Sequence, residues 1–108
     1  MMKILSSEEE FYEMIDKDQL VLVEFGSSAC NPCYAIRDRL DQWGAANPQV
    51  KMIYVPAEQY QELAAQNGIM AAPSVVLYWR EREILKKSGL YFSLDMFLEK
   101  VERIISSM

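Results

Sequence analysis

The stretch "QLVLVEFGSSACNPCYAI", residues 19–36, passes from an apolar run to a pair of cysteines and then into a helical pattern. Gln19 to Phe25 is almost unbroken in β-prone residues, as expected of a central strand covered on both faces. Beyond the cysteines, Ile36, Leu40 and Trp43 recur on one helical face until Asn47-Pro48 ends the segment. Cys30 and Cys33 therefore sit where a strand gives way to a helix. A thiol at a helix start meets unpaired backbone N–H groups and the positive end of the helix dipole, and both favour the thiolate, the form that attacks disulfides. Cys33 follows one turn later on a similar side, within reach of a mixed disulfide formed at Cys30. Pro32 suits the first turn, because it has no N–H to leave unsatisfied and its backbone angle already fits a helix.

Other uses of two close thiols are weaker. A structural zinc site takes four ligands, and a chain with no histidine and two cysteines would have to complete it with carboxylates or a second subunit. A structural disulfide across so short a loop adds little to a chain of this size in a reducing compartment. Inert core cysteines seldom come as a close pair at a helix start.

Composition bounds the rest. The chain has 108 residues, enough for one domain spanning 1–108, and its 51% hydrophobic content suffices for a core. Sixteen acidic against eleven basic residues give a formal net charge of −5, which repels nucleic-acid phosphates and anionic lipid surfaces, so neither is expected as a partner. No apolar run approaches the ~18 residues of a membrane span. The opening "MMKILSSEEE" lacks the ~7–15-residue apolar stretch of a secretory signal, which points to a cytoplasmic protein.

Outward from the cysteines the apolar period keeps switching. Ser7 with Glu10 three residues on makes a capping-box pattern, and Phe11, Met14 and Ile15 then recur at helical spacing. "VKMIYV" (50–55) reads as a second buried strand. "AEQYQELAAQNG" (57–68) reads as a helix with Tyr60, Leu63 and Ala64 inward, ended by Gly68. "SVVLYW" (74–79) and "REREILKKSG" (80–89) read as two strands joined by a charged turn. Ser93 then caps a last helix with Met96, Phe97, Val101 and Ile104 as its apolar stripe. This alternation implies an α/β fold with a mainly parallel sheet, helices on both faces and a final hairpin.

Three segments carry a family resemblance. "LVEFGSSACNPCYAI" (22–36) resembles the active-site strand and helix of the thioredoxin family, "MAAPSVVLYW" (70–79) its proline loop and following strand, and "SGLYFSLDMFLEKV" (88–101) its glycine turn and final helix. The resemblance implies a thioredoxin fold, with a central mixed sheet in the order 1-3-2-4-5 if "MKIL" adds an edge strand. It implies that Cys30 is the nucleophile, Cys33 the resolving cysteine, Pro73 a cis-proline after Ala72, and Gly89 the point where substrate backbone approaches. Asn31 and Pro32 fall between the cysteines and join Ala72, Pro73 and Gly89 as expected substrate contacts. No metal or other cofactor is expected. The partners implied are disulfide-containing proteins and a thioredoxin reductase, with the chain itself a monomer.

Glu24 stands among apolar neighbours one residue before the expected strand end. It is read either as a buried acid that passes protons to and from Cys33 or as a strand-end glutamate whose longer side chain reaches water. The family's usual residue there is aspartate. Other positions depart as well: Ala29 and Gly26 stand where aromatics are common, Tyr54 where a lysine is common, and Tyr34 where a basic residue is common. Thiolate stabilisation is then left mostly to the helix start, and a reducing or intermediate redox poise is expected. Two functions follow: a thiol–disulfide oxidoreductase acting through Cys30 and Cys33, or a binding module of the same fold whose cysteines form a redox-sensitive latch.

Overall fold

The computed structural model describes residues 2–89 and 91–108. Its elements run β1 (Lys3–Ile4), α1 (Glu8–Ile15), β2 (Leu20–Gly26), α2 (Asn31–Ala46), β3 (Val50–Pro56), α3 (Gln61–Gln66), β4 (Ser74–Trp79), β5 (Arg82–Ser88) and α4 (Leu94–Ser107). The strands form one sheet in the order β1-β3-β2-β4-β5, which together with the flanking helices is the thioredoxin fold. β2 lies in the middle and is buried along its whole length, as its unbroken apolar run requires.

Alternation along β2 decides the layers. Val21, Val23 and Phe25 pack with Phe11, Met14 and Ile15 of α1 and Leu63 and Ala64 of α3. Leu20 and Leu22 face the other way, onto Leu40 of α2 and Phe97, Leu98 and Val101 of α4. Because successive strand residues point to opposite faces, Glu24 falls on the α2–α4 side.

The sheet is mixed. β1, β3 and β2 run parallel, whereas β4 is antiparallel to β2 and to β5. The expectation of a mainly parallel sheet thus holds for three strands only. α3 explains the rest: at 1.5 Å per residue its six residues rise about 9 Å, against about 23 Å for a seven-residue strand, so it does not carry the chain back along the sheet. β4 enters from the end where β3 leaves. α3 is also shorter than the 57–68 segment suggests, since the Ala57 N–H still donates to the Gly26 carbonyl (2.7 Å) and prolongs the sheet ladder. Gly68, at φ +73°, takes the left-handed turn after it.

The caps behave as their sequences suggest, with small changes. Ser7 accepts from the Glu10 N–H at 3.1 Å, but the Glu10 carboxylate reaches back to the N–H of Ser6 (2.9 Å), one residue earlier than in a standard capping box. Ser93 accepts from the Met96 N–H at 3.2 Å. Met96 itself is exposed, and Leu98 replaces it in the buried stripe with Phe97 and Val101. The tight β4–β5 turn places Arg80 (φ 51°) and Glu81 (φ 68°) in the left-handed region, which side chains other than glycine resist. Anchors hold it: the Glu81 N–H donates to the Ile15 carbonyl (2.8 Å), and Arg80 donates to Asp18 (3.0 Å) while lying over Trp79.

Candidate active site

The Cys-x-x-Cys pair opens α2. Cys30 is the N-cap, with extended backbone (φ −102°, ψ 96°), Asn31 and Pro32 form the exposed first turn, and Cys33 is buried within it. The two sulfurs are joined in a disulfide of 2.08 Å, with Cα atoms 5.4 Å apart. Cys30 remains half-buried. The preceding loop is tied down from two sides: the Ser28 N–H donates to the Glu58 carboxylate (2.8 Å), and the Tyr34 hydroxyl donates to the Ser28 carbonyl (3.2 Å). The Ser28 bond holds Glu58 below the ordinary carboxylate range.

Strand register brings two further loops to this end of the sheet. Phe25 pairs with Ser74 and Ser74 with Ser88, so the chain before β4 and after β5 lies beside the chain leaving β2. The Ala72–Pro73 peptide is cis, with Pro73 buried and Ala72 half-buried. The Ser74 hydroxyl donates to the Ala71 carbonyl (2.5 Å), and the Gly89 N–H donates to the Pro73 carbonyl (2.9 Å), which sets Gly89 against the proline. Gly89 has φ +92°, and a Cβ there would meet nothing within 4 Å, so backbone conformation and not crowding demands glycine. Met70 and Tyr91, 90% and 97% exposed, lie in these same loops.

Glu24 lies beneath α2 and is 0% exposed. Among the described residues no protein group hydrogen-bonds to either carboxyl oxygen. Burial pushes its pKa up to about 8; the Arg37 charge pulls against this, and Asp41 and Asp38 add to the rise. The side chain is therefore buried and does not reach water, unlike a strand-end glutamate extended to solvent. A carboxyl raised this far toward neutral pH is of the kind that serves as a general acid or base.

Tyr54 closes the site from the neighbouring strand. It is the register partner of Glu24, and its ring leans over Gly26, where an added Cβ would come within 2.6 Å of the phenol oxygen. Burial first, and the Glu24 charge second, raise the Tyr54 pKa, so the phenol keeps its proton. The Arg37 guanidinium lies over this ring at 4.2 Å from its centroid and over the Tyr34 ring at 5.4 Å.

All the residues expected from the sequence gather at this end. Cys30, Asn31, Pro32 and Cys33 form the helix start, Glu24 lies below it, and Ala72, Pro73 and Gly89 form the adjoining loops. Sequence reading did not single out Arg37 or Glu58. Arg37 had a readable signal, its i+4 spacing from Cys33 on one helix face, whereas Glu58 reaches Ser28 across thirty positions of sequence. Among the described residues no three histidine, cysteine, aspartate or glutamate side chains gather as metal ligands would. An apolar groove of about 520 Å³ lined by Leu20, Trp79, Ile84 and Ile104 lies at the opposite end of the sheet, away from the cysteines.

The arrangement matches known proteins. The family model described as Thioredoxin matches residues 2–101. Thioredoxin-1 of Schizosaccharomyces pombe is 36% identical over 78 residues, covering 72% of this chain and 76% of the relative. Thioredoxin-1 of Saccharomyces cerevisiae is 28% identical over 80 residues, covering 74% and 78%. Among solved structures, Fasciola hepatica thioredoxin superposes with a TM-score of 0.84 at 25% identity, over 94% of this chain and 98% of that one. Thioredoxin from Trypanosoma brucei brucei gives a TM-score of 0.89 at 21% identity, over 98% and 92%, a likeness of fold.

Proposed function

Because this chain belongs to the thioredoxin family and is a thiol–disulfide oxidoreductase, we propose that it reduces or exchanges disulfides of protein substrates, with Cys30 as nucleophile, Cys33 as resolving thiol and Glu24 as the acid–base group beneath them. One observation carries this reading. The helix start presents a half-buried Cys30 and a fully buried Cys33, above a buried carboxyl to which no described protein group hydrogen-bonds.

The chemistry balances with these groups. In the reduced protein the Cys30 thiolate attacks one sulfur of the substrate disulfide; that S–S bond breaks and the other substrate sulfur leaves as a thiolate that takes up a proton. Cys33 loses its proton, with Glu24 as base, and attacks the Cys30 sulfur. The mixed disulfide breaks, the second substrate sulfur leaves as a thiolate that takes up the proton released from Cys33 through Glu24, and the substrate departs as a dithiol with the Cys30–Cys33 disulfide left behind. Two electrons have passed to the substrate. An external reductant must supply two more to reopen the Cys30–Cys33 disulfide, and a thioredoxin reductase is the partner proposed for this step. Asn31, Pro32, Ala72, Pro73 and Gly89 form the contact rim: the open space beside Gly89 and the exposed first turn of α2 suit an extended substrate segment laid across the loops.

Cys33→Ser tests the assignment. With no resolving thiol, it should accumulate mixed disulfides with cellular proteins, read as reductant-sensitive adducts on non-reducing gels, whereas Cys30→Ser should not. Capture by Cys33→Ser no greater than by Cys30→Ser would favour instead a binding module with a redox-sensitive latch.

A further inference from the structure

A buried carboxyl to which no described protein group hydrogen-bonds depends on whatever charge lies nearby, and at Glu24 that charge comes from one helix. α2 carries Arg37, Asp38, Arg39 and Asp41 in close succession. Arg39 pairs with Asp95 of α4, and the Asp41 carboxylate accepts from the N–H of Met2, so both have partners of their own. Arg37 has no ion pair among the described residues. Its guanidinium rests instead on two aromatic rings, 4.2 Å from the centroid of Tyr54 and 5.4 Å from that of Tyr34, where the negative ring faces attract it.

This placement follows from the local sequence. Arg37 is four residues after Cys33, so its stem leaves the helix on the side of the buried thiol. Gly26 has no side chain, which lets the Tyr54 ring lie across the sheet end above the strand that bears Glu24. The ring offers a flat seat one strand away from the carboxyl. Among the described residues the charged and titratable groups around Glu24 are Arg37, Asp38 and Asp41 from α2 and Tyr54 from β3, with Glu58 beyond facing Tyr54; Cys30 and Cys33 at the start of α2 join them only when the disulfide is open, and β4 offers Val75 and α4 the apolar Phe97, Leu98 and Val101. Arg37 is the cation of the set.

We propose that Arg37, seated against Tyr54 and Tyr34, is a positioning residue of the redox site whose guanidinium decides at which pH Glu24 gives up its proton. It acts through the carboxyl and takes no part in the bond exchange at the sulfurs. Its positive charge favours the carboxylate, against Asp38 and Asp41, which favour the neutral acid. The consequence for exchange chemistry rests on the reading of Glu24 as the acid–base partner of Cys33, and the two claims fail differently.

The test uses the full chain as wild type, Arg37→Met, Arg37→Lys, Glu24→Gln and the Glu24→Gln/Arg37→Met double variant. Methionine keeps an apolar stem over the Tyr54 ring and removes the charge; lysine keeps a charge but not the planar seat. The Glu24 carboxyl is titrated by carbon NMR in the oxidised protein, and the pH profile of disulfide reduction is measured with insulin under excess dithiothreitol. With no ion pair at contact distance, the effect falls at or below the low end of the usual range for a neighbouring charge, and Arg37→Met should raise the Glu24 midpoint by about 0.5–1 pH unit. The kinetic inflection should move up equally, Arg37→Lys should move both by less than half as much, and the double variant should keep the profile of Glu24→Gln. An unmoved midpoint in Arg37→Met overturns the proposal, as does a profile shift by Arg37→Met that persists without Glu24. A midpoint that moves while no inflection depends on Glu24 upholds the hold of Arg37 on the carboxyl and defeats the acid–base reading of Glu24.

Discussion

Replacing Glu24 by glutamine should change how stability depends on pH more than how the protein folds. In the unfolded chain the carboxyl ionises near its ordinary value of 4.5, whereas in the folded protein burial holds it neutral up to about 8. Above pH 4.5 the unfolded state therefore binds fewer protons than the native one, and stability falls as pH rises. The fall runs from about pH 4.5 to about pH 8 and is flat outside that window. At 1.36 kcal/mol per pH unit, Glu24 removes about 3 kcal/mol by pH 7 and about 5 kcal/mol above pH 8. That is a large share of the ~5–15 kcal/mol that holds a typical domain together. Glutamine cannot ionise, and like the neutral acid it leaves polar atoms unpaired, so the two proteins should be about equally stable at pH 5. From there the variant gains on wild type by about 1.4 kcal/mol per unit until pH 8. Urea denaturation of the oxidised proteins at pH 5, 6, 7 and 8 measures this, because the disulfide removes both thiols from the titration and the other groups cancel in the difference. Parallel stability curves would refute the reasoning, since they would mean that the native carboxyl ionises as it does in water.

Two further outcomes follow from the same geometry. In the reduced protein Cys30 should alkylate faster than Cys33 at neutral pH, because the first is half-exposed at the helix start and the second is buried; peptide mass spectrometry after brief iodoacetamide treatment reads the ratio, and equal labelling would reverse the assigned roles. Gly26→Ala should cost about 1–3 kcal/mol, because the new Cβ falls within 2.6 Å of the Tyr54 phenol oxygen, and the cost should shrink in a Tyr54→Ser background; a cost of the same size in both backgrounds would show that the ring is not what Gly26 accommodates.

The fold is legible where side-chain period and burial coincide. The 19–25 run marks a strand with two covered faces, and Phe11, Met14 and Ile15 mark a helix face, because burial of those residues is what stabilises each element. Strand direction is less legible, since β4 has the same apolar composition whether it enters parallel or antiparallel. It turns on the six-residue length of α3, and that in turn on Ala57 staying in the sheet ladder. Met96 fits the helical stripe by spacing alone but lies at the exposed edge of α4, and Leu98 takes the buried position. The stripe is wider than its contact with the sheet.

At the site, the cysteines are legible because their chemistry depends on local things, a spacing of three and a helix start. Glu24 is half-legible: apolar neighbours predict burial, but the reach of its side chain is decided by what covers it, which is α2 and a ring from β3. Gly26, Tyr54 and Arg37 each read as a departure or as nothing when taken singly, for their meaning lies in contacts across strand and helix. A residue without a side chain at 26 admits the Tyr54 ring, the ring occupies the place beside the carboxyl, and the cation then comes from α2, four residues after the buried thiol. The three positions therefore act as one unit. Substituting one alone should lose more than its own contact: an alanine at 26 displaces the ring, a displaced ring unseats the guanidinium, and an unseated guanidinium leaves Glu24 to the repulsion of Asp38 and Asp41.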